Sequence, residues 1–276
     1  MTEGFKYHPR TAVITGYARS GSSGGTEATN RDELAGRSQI GLYTDTGRSE
    51  RTEIAAPVGF NPEEYPILRD GNVVKQQLTP YAQMTLAVAH EAAQKAGLLN
   101  EDGKIHTDLD ADSIGVALGT GSGAGIYLPQ AREDILRSRK GLITPSQVLG
   151  THMDQASARI EKVIGANGYT IFTSEACATG ISVVADAVHS LWDGRNEAVV
   201  AVASEYLDQD WVLAFGEFHS VRALSKNRAD PEHASRPFDK DRDGFILALA
   251  EAGAVVVETL QHAQERGANI LAVIPT

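Results

Sequence analysis

Short apolar, β-branched runs recur along the chain at residues 11–15, 114–118, 169–173, 198–202, 253–257 and 270–274. Each is continuous and brief, the pattern of a mostly buried strand. Helical spacing fills several of the intervals. Thr79 and Pro80 form an N-cap and first-turn pair, Tyr81, Met84, Val88 and Ala92 follow on one face, and Gly97 closes the segment. Beyond Cys177, the positions Ile181, Val184, Val188 and Leu191 keep the same period until Asp193 and Gly194 stop it. A third helix is expected to end at Gly267. Strands alternating with helices predict an α/β layered fold around a largely buried sheet, and no internal repeat is visible.

Other stretches lack a period. Residues 18–30 are dense in Ser and Gly and residues 40–57 are polar, so both are expected to be loops. Residues 99–112 read as a surface connection and residues 217–238 as a long mixed segment before an acidic turn. The longest apolar stretch, residues 245–257, is interrupted by Glu251 and rich in Ala and Val, which suits core strand rather than a lipid-facing span.

Composition narrows the function classes. The 276 residues fit one large domain or two small ones, and 42% apolar with 22% charged residues is ordinary for a soluble globular chain. A formal charge of −11 leaves no broad basic surface to neutralise phosphates, so nucleic acid is not an expected partner. Residues 1–10 lack the apolar segment of a signal peptide and no run reaches the length of a membrane span, so no membrane association is expected. One cysteine makes neither an internal disulfide nor a CxxC metal site, which fits a reducing, cytoplasmic compartment.

Several motifs lose chemical meaning on inspection. Gly21-Ser22-Ser23-Gly24-Gly25 satisfies GxSxG, but a Ser/Gly-rich loop meets that pattern by chance, and no periodic helix follows to aim Ser23. The glycines of residues 119–125 follow a strand without the acidic residue that a dinucleotide site needs, and a tight backbone turn is expected there. Asp239-Lys240-Asp241-Arg242-Asp243-Gly244 copies the first half of a calcium loop, but Ala250 stands where the closing bidentate Glu belongs. The eight histidines show no HExxH or other close ligand spacing and are expected mostly at the surface. Cys177 stands apart. A strand runs into it and a helix leaves it, so its sulfur meets the positive end of the helix dipole, a setting for covalent catalysis; a buried inert thiol is the competing reading.

The surroundings of Cys177 resemble the nucleophile region of the β-ketoacyl-acyl carrier protein synthases, condensing enzymes with a thiolase-like fold. Ala176-Cys177-Ala178-Thr179-Gly180 is similar to the family's nucleophile motif, and Gly165-Ala166-Asn167-Gly168 to the turn before it. Ile14-Thr15-Gly16 and Leu34-Ala35-Gly36-Arg37-Ser38 match the opening strand and an early helix end. Arg222-Ala223-Leu224-Ser225 leads to Ser235-Arg236-Pro237-Phe238 and the acyl-synthase form of the acidic turn, Asp239 to Phe245. The matches run in order along nearly the whole chain.

The resemblance implies a thiolase-like α/β layered fold, a mixed sheet flanked by helices, with residues 1–276 forming the N-terminal, nucleophile-bearing half. It implies Cys177 as the acyl-accepting nucleophile and Phe218 as a gating side chain beside the acyl pocket. Arg139, Lys140 and Arg222 are implied as basic positions meeting an acyl carrier protein. No cofactor and no metal are implied. In the family a second half supplies two histidines, a lysine and an oxyanion donor, and no histidine here stands at a matching position, so a complementary C-terminal chain is an expected partner and a homo- or hetero-oligomer the expected state. A non-catalytic scaffold or chain-length subunit, or a fragment of a longer synthase, are the alternatives. Departures from the pattern are Glu175 two residues before the nucleophile, where it would oppose thiolate formation, Ser146 and Gln147 at commonly aromatic positions, Tyr169 for a usual proline, and Leu249-Ala250-Glu251 in place of a glycine-rich turn.

Overall fold

The apolar runs become neighbouring strands, those at 114–118 and 198–202 because their side chains are buried on both faces, while those at 169–173 and 270–274 end part-covered or exposed at the two edges of the sheet. The computed structural model describes residues 10–44, 51–74, 76, 78–138, 141–142, 144–208 and 211–275. In chain order these form β1 (Ala12–Ser20), α1 (Thr26–Leu34), β2 (Gly41–Thr44), β3 (Thr52–Ala56), α2 (Gly71–Val74), α3 (Pro80–Lys95), β4 (Ile114–Gly119), α4 (Leu128–Arg137) and α5 (Pro145–Gly150). They continue as α6 (Gln155–Ile164), β5 (Ile171–Thr173), α7 (Thr179–Trp192), β6 (Ala198–Tyr206), α8 (Trp211–Ser220), β7 (Leu247–Ala248), β8 (Ala250–Thr259), α9 (Leu260–Glu265) and β9 (Ala272–Val273).

The main sheet runs β5-β4-β6-β8-β1-β9, parallel from β5 to β6 and antiparallel from there on. The two-residue period of the strands divides it into two apolar faces. Ile114, Val116 and Leu118 of β4, with Val200 and Val202 of β6, pack beneath α3 and α6, whereas Ala117, Val199, Ala201 and Val257 pack beneath Val183, Ala187 and Leu191 of α7. Each fully buried Val or Leu contributes about 1.5–3 kcal/mol by leaving water, so both helical layers are held mainly by these side chains. The outer side of α7 is uncovered: Ile181 is 72% exposed. Tyr17, Val184 and Val255 border a groove of about 340 Å³ beside that helix.

Helix α3 has the ends its residues predict. Thr79 Oγ1 accepts the Ala82 N–H at 3.3 Å, Pro80 opens the first turn, and Gly97 follows the helix in the left-handed region. The helix ending at Gly267 is α9. Its partner cluster is central to the fold: fully buried Glu258 accepts Nε–H of Arg266 at 2.8 Å and the Thr15 hydroxyl, and lies 2.7 Å from His262 Nδ1.

Two expected loops are structured. Within 18–30, β1 extends to Ser20 on its ladder with β8, and α1 begins at Thr26, whose Oγ1 accepts the Arg19 N–H at 2.9 Å. Helix α1 buries only Thr26, so it has no apolar stripe for periodicity to detect. Within 40–57, β2 and β3 pair as antiparallel strands and β7 adds in parallel to make a three-stranded sheet. Polar Glu53 disguises β3, yet it is buried, 2.9 Å from His219 Nε2 and accepting from Arg228 at 3.3 Å.

The altered turn at 249–251 has a structural role. Leu247 and Ala248 pair with β3, Leu249 N–H donates to Ala56 O at 2.9 Å, and Ala250 begins β8, so the chain crosses here from the small sheet to the large one. The acidic turn is likewise occupied internally: Asp243 accepts the Ser225 hydroxyl at 2.6 Å and Lys226 N–H at 2.9 Å.

Candidate active site

The approach to Cys177 is fixed from below by Asn196. This buried amide accepts Tyr169 N–H at 2.9 Å and donates to Tyr169 O at 2.9 Å and to Ser190 Oγ at 2.8 Å. Strand β5 therefore starts in register with α7. At its far end Thr173 Oγ1 donates to Asp186 Oδ2 at 2.5 Å, a second tie between β5 and α7.

Between the two elements the backbone makes a sharp turn. Ala176 has φ of +50°, a left-handed conformation that a residue with a Cβ adopts only when its surroundings hold it there. A short 3-10 turn, Ala176–Ala178, then leads into α7. Thr179 supplies much of the restraint: its hydroxyl accepts Glu175 N–H at 2.8 Å and donates to Ala176 O at 2.7 Å. Gly119 lets this helix start lie directly on β4, because a Cβ there would sit 2.6 Å from Thr179 Cγ2 and closer still to Val183. The Glu175 carboxylate is engaged to one side, accepting the Ser182 hydroxyl at 2.6 Å.

This turn leaves Cys177 exposed, which removes the buried, inert reading of the thiol. It borders a cavity of about 600 Å³ whose wall includes Arg19, Thr120, Ser204, Glu205 and Glu251. Arg19 pairs with Glu33 at its edge. Desolvation raises the Glu251 carboxyl above its ordinary value, opposed by Arg19 and reinforced by Glu33. Beneath the floor, Thr85 and Ser204 hydroxyls meet at 2.6 Å. Burial pushes the nearby Tyr81 hydroxyl up to about 12, so it stays neutral. A separate cavity of about 660 Å³, bordered by Glu27, Glu64, Asp70 and Glu91, shares no residue with the Cys177 site.

The other expected site residues among the described ones stand away from the thiol. Phe218 is half-buried in the cluster around Phe215, Leu224 and Leu247, edge-on to Phe245 at 5.2 Å, and does not border the Cys177 cavity. Arg222 is exposed just after α8, itself in the left-handed region, with its N–H donating to His219 O at 3.0 Å. Arg139 and Lys140 lie outside the described residues. Gln147 closes a capping box with Thr144 at the start of α5, so it stabilises a helix end. None of the described histidines borders the cavity.

Sequence reasoning passed over Glu205. Its carboxylate accepts the Thr120 hydroxyl at 3.0 Å, Ser122 N–H at 3.0 Å, Gly123 N–H at 3.2 Å and also Gly121 N–H. The glycines of 119–125 were the available signal: they build a backbone anion nest, and the anion is the chain's own carboxylate.

Residues 68–263 match the family model "Beta-ketoacyl synthase, N-terminal domain". The chain belongs to that family. It is 30% identical over 267 residues to 3-oxoacyl-(acyl-carrier-protein) synthase 2 of Vibrio cholerae, covering 95% of this chain and 61% of the relative. A putative polyketide beta-ketoacyl synthase 1 of Streptomyces halstedii is 31% identical over 272 residues, again across 95% and 61%. Among solved structures, a β-ketoacyl synthase from Burkholderia phymatum superposes with a TM-score of 0.76 at 23% identity, covering 95% of this chain and 62% of that one. The ishigamide ketosynthase/chain length factor gives 0.72 at 24%, covering 97% and 62%. The mixed sheet flanked by helices is thus the thiolase-like ketosynthase fold. The chain spans about three-fifths of the length of these relatives. Among the described residues no helix is long and apolar enough to cross a membrane.

Proposed function

We propose that this chain is the nucleophile-bearing half of a β-ketoacyl-acyl carrier protein synthase and that Cys177 is its acyl-accepting residue. The observation that carries the reading is the exposed thiol on a strained strand-to-helix turn over a cavity. In the first step the Cys177 thiolate attacks the carbonyl carbon of an acyl thioester, a new carbon–sulfur bond forms as the carrier's carbon–sulfur bond breaks, and the carrier leaves as a thiolate that takes up the proton Cys177 released on ionising. The Cys177 backbone N–H is suited to donate to the thioester oxygen as charge develops. In the second step a malonyl-type thioester loses carbon dioxide, and the resulting enolate carbon attacks the acyl-cysteine carbonyl, returning the thiolate.

The enolate oxygen needs positioned donors. With no described histidine at the cavity, we assign these donors to a complementary half, carried on a partner chain or on the remainder of a longer polypeptide. The uncovered outer side of α7, which exposes Ile181 and borders a groove through Val184, is the surface we assign to that half or to a second copy. Residues 1–276 then act as one N-terminal unit. The carrier is proposed to meet Arg139, Lys140 and Arg222, and Phe218 to adjust the acyl passage from its position against Phe245. A solved relative is described as an acyl-carrier protein in complex with its ketosynthase.

The second reading is a non-catalytic ketosynthase-like subunit that shapes the tunnel of an active partner. It is favoured by Glu175, a carboxylate two residues from the thiol, and by Gln147 at the altered pocket position. The test is malonyl decarboxylation and condensation, assayed with the chain alone and with a histidine-bearing second half added. Condensation only in the mixture supports the leading reading. Robust condensation by the chain alone contradicts the divided site, and none in a mixture shown to form a complex favours the scaffold.

A further inference from the structure

We propose that Glu205 is a positioning residue for Cys177, acting through the 120–123 loop that braces the strained turn; the inference rests on reading Cys177 as the nucleophile. Glu205 lies near the C-terminal end of β6, and its carboxylate gathers four donors from one loop, the Thr120 hydroxyl and the N–H groups of Gly121, Ser122 and Gly123. These N–H groups converge because Gly123 takes φ of +47°. The loop is also tied to β5, since Thr120 N–H donates to Thr173 O at 3.3 Å.

The same loop faces Ala176. A Cβ built on Gly121 would stand 3.7 Å from both Ala176 Cα and Ala176 O, and 3.0 Å from Glu205 Oε1. Gly121 therefore lies between the carboxylate and the left-handed residue that precedes Cys177, with room for about a methyl group on the Ala176 side. Without the carboxylate, three converging N–H groups lose their acceptor and the loop has no reason to keep this shape. The Thr120–Thr173 tie then passes the shift to the end of β5, and Ala176, just beyond it, relaxes out of the left-handed region, which turns the cysteine away from the cavity.

Because Cys177 is the single cysteine, iodoacetamide alkylation followed by intact mass reads this one thiol. Glu205→Ala is expected to slow alkylation about tenfold. Acetate, entering the vacated nest, is expected to restore the rate saturably, an effect that loss of bulk stability does not produce. Gly121→Ala, whose methyl group would press on Glu205 Oε1, is expected to slow alkylation in the same direction and decides the matter should Glu205→Ala not fold. Glu258→Gln, which weakens the separate Arg266 cluster, is expected to alkylate at the parent rate. The proposal is overturned if Glu205→Ala and Gly121→Ala both react within about twofold of the parent, if Glu258→Gln slows equally, or if acetate leaves folded Glu205→Ala unchanged. Alkylation reports presentation of the thiol rather than acyl transfer. A parent chain that takes no acyl group, while its alkylation still depends on Glu205, contradicts the nucleophile reading and leaves the positioning role standing.

Discussion

Replacing Thr179 by Val tests the turn with little change in shape. The hydroxyl is buried, with Thr179 4% exposed, and it serves two backbone groups, Glu175 N–H at 2.8 Å and Ala176 O at 2.7 Å. Valine keeps the branched outline that packs over Gly119 but leaves both groups without that partner. A hydrogen bond contributes about 0.5–1.5 kcal/mol net, and a buried polar group left unsatisfied costs about 1–3 kcal/mol. Ala176 O still accepts the Thr179 backbone N–H and Glu175 is exposed, so the expectation is a loss of about 1–2 kcal/mol, which in a chain of this size lowers the melting temperature by roughly 2–8 °C. Urea denaturation gives the energy and iodoacetamide alkylation gives the presentation of Cys177, which should fall with it. Thr179→Ser retains the hydroxyl and should recover most of the alkylation rate. Parent stability in Thr179→Val, or a serine variant as impaired as the valine one, would refute the assignment of the turn's restraint to this hydroxyl.

Glu258 governs acid sensitivity. Desolvation favours its neutral form, but Arg266, His262 and Thr15 outweigh that and lower its carboxyl from 4.5 to about 2. A depressed carboxyl stabilises the fold fully above its unfolded value and loses that contribution as pH falls from 4.5 towards 2. The parent should lose about 3 kcal/mol across this window from this group, and Glu258→Gln, weaker at pH 7, should show a shallower acid slope in urea titrations; parallel slopes would contradict it. At the carrier surface, Arg222→Glu should weaken acyl carrier protein binding about two- to fivefold at low ionic strength, less as salt rises; unchanged affinity in a low-salt titration removes Arg222 from that surface.

What could be read from residues alone follows from where the energy lies. Strands β4, β6 and β8 and helix α3 are buried on nearly every side, so their apolar runs and caps announced them. Helix α1 and strands β2 and β3 are held by ladders, by Thr26 and by a buried Glu53, none of which leaves an apolar period. The site divides the same way. The strand-to-helix position of Cys177 was visible because β5 and α7 flank it closely, and the family motif coincides with that turn. Glu205 was not visible, because a carboxylate 82 residues from the Gly123 N–H it accepts leaves no local spacing. Gln147 shows the converse: it stands at a position where the family is commonly aromatic, whereas its side chain caps a helix.

The central claim is that Cys177 takes the acyl group, and intact mass spectrometry tests it most directly. The chain, alone and with its complementary half, is incubated with an acyl thioester and then mapped by peptide. One acyl adduct on Cys177, absent from Cys177→Ala, is the predicted result. An adduct that forms equally on Cys177→Ala, or none on the parent in the complete complex, would contradict the claim.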